Sequence, residues 1–177
     1  MQTSKRISKG FWVWGDFLTK DNKYLNSLQR KVQSKLNSPK FRIHLTLAGP
    51  YKDIDLKFAN QLKLLCINTC PIKLELNDYQ YKEDRFESFF ISVKKNDDLI
   101  NLRKQLFNLK EFHIKDKFCP HISLTYGIHS VQQKIDLIHS LPKININLIM
   151  NKLLIAKVDE NINKWEILKE FGIKKNL

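Results

Sequence analysis

Cysteine is scarce in this 177-residue chain, with three in all, and glycine and proline are nearly as rare, at five each. Three cysteines cannot supply a framework of paired disulfides. Cys66 and Cys70 lie four apart, on one face of an expected helix, with no histidine nearby to complete a zinc set. All three are read as reduced, two of them as packing residues, which is the usage of a cytoplasmic protein. The shortage of glycine and proline leaves no linker-like stretch to divide the chain into independent domains. No apolar run approaches the ~20 residues of a membrane helix. The segment from Met1 to Gly10 is polar and basic and does not read as a signal peptide. Acidic side chains are the last deficit: 18 Asp and Glu face 31 Lys and Arg, for a net charge of +13. Such an excess favours polyanionic partners, nucleotides and RNA first among them. A lysine-rich solvated surface in a compositionally biased chain would give the same number.

What is present is enough to fold. With 42% apolar and 28% charged residues, the chain can bury a core and is not disordered over most of its length. Phe11–Phe17 is aromatic and β-branched and predicts a strand. Tyr24, Leu25, Leu28, Val32 and Leu36 recur at helical spacing and predict a helix from about Asp21, its N-cap, to Leu36. Asn37-Ser-Pro39 ends it, Phe41–Leu47 alternates as a strand, and Gly49-Pro50 turns the chain. A helix over Asp55–Ile67 and an extended run from Pro71 to Tyr81 follow. The order then repeats: a strand over Ser88–Val93, a helix capped by Asn96 or Asp97 and carrying Leu99, Leu102 and Leu106, and a polar connector from Lys110 to Lys117. Next come a strand within Phe118–Gly127, a helix from about Ser130 to Ser140, and closing strands over Ile144–Val158 and around Trp165–Leu168. Phe11 to His44 spans 33 positions and Phe89 to His121 spans 32, each reading strand, helix, strand. The expectation is one α+β domain over residues 1–177, built from two similar halves at about 10–83 and 86–168, with only the two ends frayed.

Aligned by position, the halves give Phe41-Arg-Ile-His44-Leu-Thr46-Leu and Phe118-Cys-Pro-His121-Ile-Ser123-Leu. In a strand, side chains alternate between faces, so His44 and Thr46 share one face while Ile43, Leu45 and Leu47 face the core. His121 and Ser123 pair in the same way. Each strand therefore offers an imidazole beside a hydroxyl. A phosphodiester benefits from a base that deprotonates the attacking oxygen and an acid that protonates the departing one. Two imidazoles with pKa values near ~6.5 can hold those complementary states near neutral pH. The hydroxyls can donate to the non-bridging oxygens as charge grows there. His113, His129 and His139 have no hydroxyl residue two places later, so only the two histidines at matching positions carry the pattern.

His44-Leu45-Thr46 and His121-Ile122-Ser123 resemble the paired motifs of the 2H phosphoesterase superfamily. The run Phe118-Cys-Pro-His-Ile-Ser-Leu-Thr-Tyr-Gly127 is similar to the second motif of its cyclic phosphodiesterase and 2'-5' RNA ligase-like branches. The resemblance implies a pseudo-two-fold bilobal α+β fold, with two antiparallel sheets around a central groove and helices outside. It also implies action without metal or cofactor on cyclic phosphates or 2'-5' linkages of nucleotides and RNA-derived substrates, RNA ends included. The first motif departs in lacking the proline that precedes His121. Catalysis is assigned to His44, His121, Thr46 and Ser123, with His121 as base and His44 as acid, and the symmetric reverse almost equivalent.

Around these four, Arg42 shares their parity and is a candidate for a substrate phosphate. Trp12, Tyr51 and Tyr126 are candidates to stack on a base, and Trp14 shares the face of Trp12. Each of these aromatics has core packing as its alternative, and Trp165 is read as core. Lys9 and Lys52 flank the groove elements and read equally as surface charge. The leading function is a phosphodiesterase. Alternatives are an enzyme degrading cyclic oligonucleotide signals, an RNA-end ligase running in reverse, a catalytically silent RNA-binding module, and a purely structural basic protein. A cytoplasmic monomer is expected, with no membrane partner.

Overall fold

The computed structural model describes residues 9–112 and 118–174, so the frayed ends and most of the Lys110–Lys117 connector expected above lie outside the described residues. The elements run β1 (Gly10–Phe17), α1 (Thr19–Lys35), β2 (Leu45–Tyr51), α2 (Leu56–Ile67), β3 (Ile72–Tyr81) and β4 (Phe89–Val93). They continue as α3 (Asp97–Leu109), β5 (His121–Thr125), α4 (Val131–Ser140), β6 (Asn147–Val158), a 3-10 turn at Ile162–Lys164, and β7 (Glu166–Gly172). The α+β class and the antiparallel strands are as expected.

The seven strands form one hydrogen-bonded network in the order β1-β2-β5-β4-β3-β6-β7, which closes on itself through a β1–β6 pairing. β6 makes the closure possible. One of its edges pairs with β1 along almost its whole length, and its other edge takes β3 at Asn147–Met150 and β7 at Lys152–Lys157. The network thus divides into a four-stranded portion (β2-β1-β6-β7) and a three-stranded one (β5-β4-β3). They are joined through β3–β6 at one end and, at the other, through a single β2–β5 pair, Leu45 with Ile122.

Strand alternation assigns the two faces. Val13, Phe17, Leu45, Leu47, Phe89, Ile91, Ile122 and Leu124 enter one large core with Leu25, Leu28 and Val32 of α1, Phe58 and Leu62 of α2, Leu102 and Leu106 of α3, and Leu137 of α4. The helices therefore cover one face of the strands. On the other face, Trp14, Leu154, Ala156 and Val158 make a small separate cluster flanked by Trp12, Trp165 and Ile167.

Several local expectations are corrected. α1 starts at Thr19, ahead of Asp21, and its N-cap position is Leu18, which makes no side-chain cap. Asp21 instead points inward, 6% exposed, and its carboxylate accepts from the Ile149 N–H of β6 at 2.8 Å. The first motif strand begins only at Leu45, and residues 41–44 lie outside the ladder. Gly49-Pro50 does not turn the chain: β2 continues through a cis bond there to Tyr51. Gly49 has φ +124°, and a Cβ there would sit 2.9 Å from both the Phe11 carbonyl oxygen and the Trp12 ring, so glycine lets β1 and β2 approach. Of the cysteines only Cys66 packs; Cys70 lies past the end of α2 and is exposed, as is Cys119. The caps at Asp55, Asn96 and Ser130 are formed, the last as a reciprocal capping box with Gln133.

Asp21→Ala should lower unfolding free energy by ~1–3 kcal/mol, because it strands a buried β6 N–H without an acceptor. Urea unfolding compared with wild type measures it; a loss below a few tenths would mean that water replaces the carboxylate.

Candidate active site

The Leu45–Ile122 pair sets the geometry of the site. Continuing that antiparallel register places Thr46 across from His121 and His44 across from Ser123, all on the face opposite the core. The outer strands extend the rows: Trp14 of β1 pairs with Thr46, while Ser92 and Phe90 of β4 pair with His121 and Ser123. Thr46, His121 and Ser123 are thus presented by two neighbouring strands, and His44 by the residue that leads into β2.

Each histidine is held in the same way. His44 Nδ1 lies 2.8 Å from the Arg42 carbonyl oxygen and His121 Nδ1 lies 2.9 Å from that of Cys119, in both cases two residues back. A carbonyl can only accept, so both Nδ1 atoms carry the proton, and in the neutral ring Nε2 carries the lone pair. Each ring also leans on the aromatic that faces its motif's hydroxyl. Trp14 stacks on His44 with centroids 3.6 Å apart and planes 11° from parallel, and Phe90 lies 4.9 Å from His121.

The two environments differ in depth. His44 is 5% exposed, whereas His121 is only partly buried. Burial pushes the His44 imidazole down to about 4; its bond to the Arg42 carbonyl opposes this, and the nearby His121 charge adds to it. At neutral pH His44 is therefore uncharged. Ser123 is 5% exposed, with its hydroxyl 3.5 Å from the Phe86 carbonyl and hydrogen-bonded to Tyr126. Burial pushes the Tyr126 phenol up to about 12, so it remains a neutral donor.

The four outlying candidates separate. Tyr126 is beside the site but 5% exposed, packed against Phe41 at 4.3 Å and Trp165 at 5.4 Å, so it supports the wall and offers no open face. Trp12 flanks the small cluster on the site's face of β1. Tyr51 is corrected to a core residue: it is 2% exposed on the helix side, packed on Phe58 and Phe112. Counted forward from Thr46, strand alternation puts Tyr51 on the side of Leu45 and Leu47, in the same buried core. Arg42 is corrected as well. Its guanidinium is bridged between Asp16 at 2.6 Å and Glu170 at 2.7 Å, so its charge is already matched.

Residues not singled out in the sequence complete the surroundings. A cavity of 280 Å³ is lined by Trp14, Lys40, Phe41, Arg42, Ile162, Asn163, Trp165 and Ile167, none of them a motif residue, though the indoles of Trp14 and Trp165 both meet the His44 ring. Trp165, read as core, is half-buried and forms a wall of this cavity; its indole N–H donates to the Asp159 carbonyl at 2.7 Å. Asp16, a carboxylate 1% exposed within an aromatic strand, was visible in sequence as a charge out of place in β1. Glu170 had no such signal. Among the described residues, no three His, Cys, Asp or Glu side chains converge as a metal site, and no helix is long and apolar enough to cross a membrane.

An antiparallel α+β fold that presents two His-x-hydroxyl pairs on one face defines a 2H phosphoesterase. Residues 21–159 match the 2'-5' RNA ligase superfamily, and the chain belongs to that family of phosphoesterase-type enzymes. Its fold is similar to that of TT0787 of Thermus thermophilus (13% identity, covering 94% of this chain and 99% of that one, TM-score 0.65). It is also similar to Escherichia coli LigT in apo form (15% identity, 94% and 98%, TM-score 0.61). The same LigT complexed with 3'-AMP aligns at 16% identity over the same shares, with a TM-score of 0.58. No curated protein sequence matches the chain.

The depressed His44 pKa bears on stability. Its folded value of about 4 lies below the unfolded value of ~6.5, so the native state binds fewer protons between those limits. Stability is full above pH 6.5 and falls as the pH drops towards 4. Between pH 7 and 4.5 wild type should lose roughly 2–3 kcal/mol more than His44→Gln, which does not titrate. Urea melts of both proteins at the two pH values test this; parallel losses would place the His44 pKa near its ordinary value.

Proposed function

We propose that the protein is a phosphodiesterase that hydrolyses cyclic phosphate or 2'-5' phosphodiester bonds in nucleotides or RNA-derived substrates, with His44 and His121 as its base and acid. The observation that carries this reading is the matched setting of the two imidazoles, each with Nδ1–H donating to a carbonyl, which makes Nε2 the nitrogen that exchanges protons. Depth supports roles that reverse the sequence expectation. His44, buried and neutral, takes the proton from the attacking water as its oxygen bonds to phosphorus. His121, closer to solvent, is the acid that gives a proton to the ribose oxygen as the P–O bond breaks. Charge repulsion between the rings favours a single-proton state. Thr46 and Ser123 donate to the non-bridging oxygens.

The cavity walled by Trp14 and Trp165, both in contact with His44, supports a small substrate. Its 280 Å³ falls just short of the ~300–1,000 Å³ of ligand sites. Trp165 and Phe41 offer apolar walls and Lys40 a positive charge, a setting that suits a base or sugar next to the scissile phosphate. LigT's complex with 3'-AMP fits a nucleotide of that size.

The test is turnover in EDTA of 2',3'-cyclic mononucleotides, ADP-ribose 1'',2''-cyclic phosphate, 2'-5' oligoadenylate and cyclic dinucleotides. His44→Ala and His121→Ala should each lower kcat by ~10²–10⁴. Turnover that both variants retain would overturn the assignment. Tight RNA binding with no turnover would favour a binding module instead.

A further inference from the structure

We propose that Arg42, clamped between Asp16 and Glu170, is a positioning residue that fixes the ring of His44 through its own backbone carbonyl. The proposal rests on His44 as the base of the reading above, but its geometry stands independently.

The need for a clamp follows from where β2 begins. The β1–β2 ladder ends at the Gly15–Leu45 pair, so the carbonyl of Arg42 lies beyond it, in the stretch 37–44 that has neither helix nor strand. In the second motif the gap is shorter: Cys119 also precedes its strand, which begins at His121, but the intervening Pro120 is held by the backbone. Pro120, next to the carbonyl that orients His121, accepts the Val93 N–H at 3.0 Å and is thereby tied to β4. In the first motif, side chains replace the missing backbone bonds. Asp16, one residue past the last ladder pair, binds one guanidinium nitrogen of Arg42 at 2.6 Å, and Glu170 of β7 binds the other at 2.7 Å. Gln29 of α1 donates to the Phe41 carbonyl at 3.3 Å.

The anchors are themselves fixed. Asp16 is 1% exposed and accepts from the Phe17 N–H and the Asn22 amide, both at 2.9 Å. Glu170 also meets Lys152 at 3.4 Å, so two carboxylates face two cations and the cluster is neutral. A substrate phosphate would have to break two short charge-assisted bonds to recruit this guanidinium. A planar fork spanning two carboxylates 154 positions apart in sequence can fix a backbone; a lysine, with one point charge, cannot span both.

The test uses the full chain. The ring-nitrogen shifts of His44 by ¹⁵N NMR should show one neutral tautomer, with the proton on Nδ1, in wild type. Arg42→Ala and Arg42→Lys should show a tautomer mixture. Glu170→Gln, a surface change that leaves the core intact, should show the same in weaker form and keeps the question open to measurement if the Arg42 variants fold poorly. With a substrate in hand, kcat should fall up to ~10²-fold in Arg42→Ala at unchanged KM, as expected for a base displaced by a fraction of its working distance. An unchanged single tautomer in the variants would overturn the proposal. So would a raised KM at unchanged kcat, which marks a substrate ligand. The NMR arm needs no turnover, so it decides the clamp even if the enzymatic reading fails.

Discussion

One backbone pairing, Leu45 with Ile122, carries the rest of this structure. Among the described residues it is the only register pair between β2 and β5, and it joins the three-stranded and four-stranded portions on the side where the histidines lie. Because side chains alternate along a strand, burying Leu45 and Ile122 in the helix-covered core turns their neighbours the other way. His44, Thr46, His121 and Ser123 then share a face without any of them having to direct the fold. A slip of one residue in either strand would bury that motif and expose its leucines, so core packing itself guards the register.

The outer strands repeat the logic. Trp14 pairs with Thr46 and leans on His44; Phe90 pairs with Ser123 and leans on His121. The two sides are alike in plan and unlike in depth. Indole stacking and the neighbouring Trp165 seal His44, whereas the second ring remains nearer to solvent. The surroundings of His44 thereby lower its proton affinity. The backbone supports differ too: the carbonyl that orients His121 neighbours a ladder bond, while that of His44 depends on the Asp16–Arg42–Glu170 bridge.

The helices and most strands were legible in the chain because their signals are local. Leu99, Leu102 and Leu106 repeat at helical spacing, and Ser130 with Gln133 spells a reciprocal cap. The motif histidines were legible because alternation and the shared hydroxyl spacing do not depend on distant contacts. Asp21 was misread for the opposite reason: an acidic residue at a helix start is an ordinary cap, and only the arrival of β6 gives it the Ile149 N–H. Tyr51 was a candidate only for following a motif strand, and Arg42 for sharing the parity of His44 and Thr46. Tyr51 alternates with Leu45 and Leu47 into the core, and the carboxylates that claim Arg42 come from β1 and from Glu170 of β7.

The sequence by itself determined the α+β class, the element order and the two His-x-hydroxyl strands, since hydrophobic periodicity and motif spacing are properties of neighbours along the chain. Only the tertiary structure decided which histidine is buried and neutral, where the cavity opens, and what holds Arg42. Those properties arise from desolvation and charge pairing between segments far apart in sequence, and they exist only once β6 and β7 have closed the sheet against β1.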